Sequence, residues 1–160
     1  MIKDAYANLA ELGLELPEPP PRGGLYSPIR TFGRNLAWCS GVGPTRVDGP
    51  AITGAVGADL TIEEAQAAAK LAMLNILSII ERETGDLNSI RFVKLLGFVR
   101  SSDDFEQQPA VMNGASQLLL DVFGEVDGLP SRSAIGVNQL PGGICVEIEA
   151  VYERRDEVEL

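Results

Sequence analysis

Thr61-Ile62-Glu63-Glu64 is the segment that most restricts how this chain can fold. A threonine N-cap with a glutamate three residues on forms a capping box, in which the two residues satisfy each other's free backbone N–H groups. Behind it, Ala65, Ala68, Ala72, Ile76 and Ile79 recur at helical spacing, and the pattern stops before Gly85. LNSIRFVKLLGFVR at 87–100 follows directly, rich in β-branched and aromatic residues, and reads as a long, largely buried strand. A one-faced helix next to a buried strand needs a sheet to cover, so the chain must layer helices on a sheet.

The remaining segments extend that plan. Residues 3–13 carry Ala5, Leu9 and Leu12 among acids, a short amphipathic helix ended by Gly13. LPEPPPRGG at 16–24 fits neither helix nor central strand and is an extended linker. LYSPIR and LAWCS are short strands about a turn near 32–35, SGVGPTRVDGP is a loop, and AITGAV is a third short strand. Residues 103–123 form a second helix, with Pro109 in its first turn and Val111, Ala115, Leu118 and Val122 as its apolar stripe. After the turn-rich GEVDGLP come the strands SRSAIGV and ICVEIEAVY, joined through Leu140-Pro141-Gly142-Gly143. The expected fold is α+β, a mixed six-stranded sheet with two main helices on one face. Its parts are a helical arm and Pro-rich linker at 1–24, one domain at 25–153 and a charged tail at 154–160.

Composition excludes several function classes. With 160 residues, 45% of them hydrophobic, the chain can build one core without disulfide or metal. Thirteen basic and 23 acidic residues leave a net charge of -10, which repels phosphate backbones, so no nucleic-acid partner is expected. There is no histidine, which removes Ser-His and Cys-His nucleophiles and the commonest zinc ligand. Cys39 and Cys145 lie in apolar runs and read as buried structural thiols. No metal or cofactor motif is present, no apolar run reaches the roughly 18 residues of a membrane span, and the N-terminus lacks a signal-peptide pattern. Cytoplasm is the expected location.

In CVEIEAVY, Val146, Ile148 and Ala150 share one face, and Cys145, Glu147, Glu149 and Val151 share the other. Two glutamates on one face suit a solvated surface. Arg132, on the preceding strand, is placed to pair across the sheet with the glutamate-bearing one. An arginine beside a carboxylate makes either a structural ion pair or a carboxylate-binding fork with a base next to it. Spacing leaves both open.

PSRSAIGVNQLPGGICVEIEA at 130–150 resembles the C-terminal signature of the Rid (reactive intermediate/imine deaminase, RidA/YjgF) family. The pattern is an arginine after a small residue, an apolar strand, Leu-Pro, a turn, then VEIEA. SGVGP at 40–44, the helix ending in Leu74-Asn75, GDLNSIRFVKLLGFV at 85–99 and the DF…VMNGAS run at 104–116 extend the likeness in order. The helical arm and the NGAS…FGE stretch resemble a longer branch of the family. The resemblance implies a chorismate-mutase-like fold and a homotrimer whose sheets line a central barrel, with sites in clefts between subunits. It implies hydrolysis of 2-aminoacrylate-type enamine and imine acids to 2-keto acids and ammonia, without cofactor. Arg132 matches the arginine that grips the substrate carboxylate, and Glu147 the glutamate that orients or activates water. Asn113 and Ser40 match pocket-lining residues, and the Ala134 carbonyl would face the imine nitrogen. Ile29 stands where deaminase-type members often carry a tyrosine, with Tyr26 and Phe32 nearby, and Tyr26 is counted among the pocket residues. Ala134 replaces a frequent cysteine, and Asn138 a small or basic residue. The competing functions are a non-catalytic trimer that binds a small carboxylate metabolite, and an endoribonuclease, which charge and the missing histidine disfavour.

Overall fold

A computed structural model of the chain describes residues 4–155. Its elements are α1 (Ala5–Glu11), β1 (Ile29–Phe32), β2 (Leu36–Val42), α2 (Ile62–Thr84), β3 (Ile90–Arg100), α3 (Gln108–Gly128), β4 (Ser131–Val137) and β5 (Val146–Arg154), with single 3-10 turns at Leu87–Ser89 and Pro141–Gly143. The capping box forms as its sequence requires. Glu64 N–H donates to Thr61 Oγ1 at 3.2 Å and Thr61 N–H to the Glu64 carboxylate at 2.9 Å, and Gly85 closes α2 in the left-handed conformation at φ 75°.

The strands form one mixed sheet in the order β1-β2-β5-β3-β4. β3 and β4 are parallel and linked by α3, a crossover that needs a helix, while every other pairing is antiparallel. Among the described residues the sheet therefore has five strands, not six. AITGAV makes only isolated bridges, Thr53 to Ile144 and Val56 to Leu60 and Ser101, because the left-handed Gly54 and Gly57 break any extended run. β1 begins at Ile29 rather than Leu25, since Pro28 has no N–H to give a ladder. The second helix starts five residues later than the sequence pattern suggested, with Pro109 in its first turn, and runs on past a non-helical Gly124 to Gly128. GEVDGLP is thus partly helical. Arg154 belongs to β5 rather than to a tail, Arg155 pairs with Asp127, and residues 156–160 lie outside the described part, as do residues 1–3.

Helices α2 and α3 cover one sheet face, where Leu95, Val99, Val146, Ile148, Ala150 and Tyr152 are fully buried. α1 docks on α3 and on the 87–89 turn. Asn8 Nδ2 donates to the Val122 carbonyl at 2.7 Å, Leu87 N–H to the Tyr6 hydroxyl at 3.0 Å, and Ala5 N–H to Asn88 Oδ1 at 2.8 Å. Leu14 and Leu16 then pin the Pro-rich segment to the core edge. Among the described residues no helix lies over the other sheet face. Arg30, Phe32, Trp38, Leu96, Phe98, Ile135, Glu147 and Glu149 share it by register, and Phe32, Trp38 and Ile135 are each close to half exposed.

Candidate functional site between the two ends of the sheet

Arg132 sits on β4, opposite Leu95 and so on the helix-covered face, at the edge of the sheet. Its guanidinium bends onto the start of α3. Nη1 donates to Asn113 Oδ1 at 3.0 Å and to Ser116 Oγ at 2.9 Å, and Nη2 to the Pro109 carbonyl at 3.3 Å. All three acceptors are neutral, and the ion pairs among the described residues, Arg91–Glu153 and Arg155–Asp127, leave Arg132 out. The cation is thus oriented without being neutralised. Asn113 and Ser116 can share it because residues three apart on a helix lie side by side. Ala134, two residues along β4, is partly buried against the core.

Glu147 is on β5 opposite Phe98, on the uncovered face. Its carboxylate lies against Gly41, where β2 bulges between Cys39 and Val42. A Cβ at position 41 would sit 2.1 Å from Glu147 Oε1, so a side chain there would push the Glu147 carboxylate aside. Burial, and then the neighbouring Glu149 charge, raise the Glu147 carboxyl above its ordinary value. Beside it, Ser40 Oγ donates to the Ser27 carbonyl at 2.7 Å. Ser40 and Gly41 form a wall common to two clefts. One is framed by Arg30, Phe32, Trp38 and Glu149, and the other, of about 250 Å³, by the Pro-rich segment and Tyr26. The Tyr26 hydroxyl accepts from Gly23 N–H at 3.2 Å and keeps its own proton free to donate.

The expected pairing of Arg132 with the glutamate strand does not occur. β3 lies between β4 and β5, so the two residues stand two strands apart, three positions out of register and on opposite faces. Arg132, Asn113 and Ala134 form one group at the β4 edge, and Ser40, Tyr26 and Glu147 another toward the β2 end. Ile29 is buried in the core, so nothing at that position substitutes for a pocket tyrosine. Ser116 and the Pro109 carbonyl escaped sequence reasoning; the i, i+3 relation of Ser116 to Asn113 was the available signal. Gly41 was visible only as the partner of Ser40 in the SG pair. Both cysteines are buried and free, their thiols pushed up by burial to about 12 at Cys39 and about 11 at Cys145, so neither is a nucleophile near neutral pH. Among the described residues no group of three or more His, Cys, Asp or Glu could hold a metal ion, and no helix is long and apolar enough to cross a membrane.

Residues 6–145 match the family described as "YjgF/chorismate_mutase-like, putative endoribonuclease". The chain belongs to the YjgF family. It is 43% identical to Protein TCP17 of Trypanosoma cruzi over 148 residues, 92% of each chain. Its fold superposes on the crystal structure of Atu1372 from Agrobacterium tumefaciens, a protein of unknown function, with a TM-score of 0.84 at 40% identity, covering 94% and 93% of the two chains. E. coli TdcF, solved with bound serine, gives a TM-score of 0.59 at 25% identity over 84% of this chain and 92% of that one. The YjgF fold therefore accounts for the sheet and for both long helices.

Proposed function

We propose that this YjgF-family chain hydrolyses reactive enamine and imine acids of the 2-aminoacrylate type to 2-keto acids and ammonia, in sites completed between the subunits of a homotrimer. The observation that carries the reading is Arg132. A guanidinium fixed by three neutral oxygens, with no carboxylate of its own, is suited to take a planar carboxylate from a ligand. Its counterpart group, Glu147 with Ser40 and Tyr26, lies too far away in the same chain, so a second copy would bring it to the cleft. The half-exposed Phe32, Trp38 and Ile135 on the uncovered face supply apolar surface for such an assembly.

In this scheme the enamine first tautomerises to the imine, with its carboxylate on Arg132. Ionised Glu147 takes a proton from water as the water oxygen bonds to the imine carbon, and the protonated Glu147 returns that proton to the nitrogen, which the C=N electron pair has left basic. Collapse of the resulting carbinolamine breaks the C–N bond and releases ammonia and the keto acid. A carboxyl raised toward neutrality is a better base for this step than an ordinary one. Neither histidine nor metal is needed.

A second reading, a trimer that binds a small carboxylate without chemistry, is favoured by the burial of Ile29, which leaves no phenol at that place. One assay separates the two. With a dehydratase generating 2-aminoacrylate, the protein should speed ammonia release several-fold over the uncatalysed rate. An unchanged rate, with keto-acid binding intact, would establish the binding module instead. A nuclease reading has little physical support, because a net charge of -10 opposes RNA.

A further inference from the structure

The cleft of about 250 Å³ beside Ser40 carries a cation that the proposed chemistry does not use. Its far wall is the segment Pro20-Pro21-Arg22-Gly23, and its near wall includes Tyr26, Ser40 and Gly41. Arg22 Nη1 donates to the Tyr26 carbonyl at 3.2 Å, and Gly23 N–H donates to the Tyr26 hydroxyl, so arginine and phenol are tied into one turn at the cleft mouth. The ion pairs among the described residues do not include Arg22. Consecutive prolines hold φ near -65°, so the backbone before Arg22 is stiff and presents the side chain at small entropic cost.

We infer that Arg22 is a specificity-determining residue that binds a second, distal carboxylate, so that the site takes short dicarboxylic keto or imine acids in preference to monoacids. This rests on the proposed reading of the site as one for small keto and imine acids. Arg132 then takes the carboxylate beside the reacting carbon, and Arg22, with the Tyr26 hydroxyl, takes the one at the other end. A cleft of about 250 Å³ is large enough for the distal half of a short-chain diacid. In a chain with ten more acids than bases, an unpaired arginine in a concave site is a strong local attractant for an anion.

Titration calorimetry of the full chain with 2-oxoglutarate and with 2-oxobutyrate tests this. The unsubstituted protein should bind the diacid at least about tenfold more tightly, as one charge-assisted contact allows. Arg22→Gln should remove that preference while leaving 2-oxobutyrate affinity within about twofold, and Arg22→Lys should restore part of it. Monoacid binding without a diacid preference overturns the role of Arg22 and leaves the parent reading standing. Equal losses for both acids in Arg22→Gln would reduce Arg22 to a staple of the turn and overturn the inference as well. If neither acid binds the unsubstituted protein, the parent reading falls, and this inference with it.

Discussion

Arg132 uses three of its five N–H donors on oxygens of α3, and the Nε–H and one Nη2–H remain. A side chain held in this way is pre-organised for a planar anion. Arg132→Ala should therefore cost on the order of 1.5–3 kcal/mol of ligand binding, roughly 10- to 150-fold, with little loss of fold. Arg132→Lys should fail nearly as badly, because a point charge cannot reproduce the fork. Ligand affinity and Tm measured together check this; a Tm that falls in step with affinity would mark Arg132 as structural. Glu147 makes a different prediction. A carboxyl whose folded value is raised above its unfolded one binds its proton more tightly when folded, so its contribution to stability is lost as pH rises through the folded value. Glu147→Gln should consequently melt higher than the unsubstituted protein at pH 7. The gap should narrow as pH falls toward the ordinary value of 4.5, while turnover is lost and ligand binding is kept. A Tm difference independent of pH would exclude burial of the ionised carboxylate as its cause.

β5 is the element on which fold and site converge, pairing with both β2 and β3. Its alternation is strict: Val146, Ile148, Ala150 and Tyr152 are buried under the helices, and Glu147, Glu149 and Val151 are half-buried on the uncovered face. One member of the buried row is imperfect. The Tyr152 hydroxyl is buried with no hydrogen-bond partner, and burial pushes its ionisation well above the ordinary range. An unsatisfied buried hydroxyl costs about 1–3 kcal/mol, so Tyr152→Phe should stabilise the protein, with Tm rising by roughly 2–4 °C per kcal/mol. A drop in Tm would mean that the hydroxyl has a partner after all.

At the scale of the molecule, the unanswered geometry is the separation of the two residue groups across one sheet. One copy cannot bring Arg132 and Glu147 together without breaking the β3 pairings between them. A second copy can. Light scattering at micromolar concentration should give three times the 17.1 kDa chain mass, and Trp38→Asp, placing a charge on the uncovered face, should lower the mass and abolish activity together. A single 17.1 kDa species for the unsubstituted protein would refute the assembly.

Signals confined to a few neighbouring residues were legible without the structure. The capping box of α2, the place of Pro109 and the alternation of β5 depend on local backbone chemistry and spacing, and all appear in the fold, while the family likeness is met by the match over residues 6–145. Strand order was not legible, because inserting β5 between β2 and β3 is a choice among long-range pairings with similar local patterns. That choice put Arg132 and Glu147 on opposite faces, reduced the segment at 51–56 to isolated bridges and laid the Pro-rich segment along the Ser40 cleft. Periodicity assigns a residue to a face of its own strand; only the packed sheet decides which faces and which ends of the chain meet.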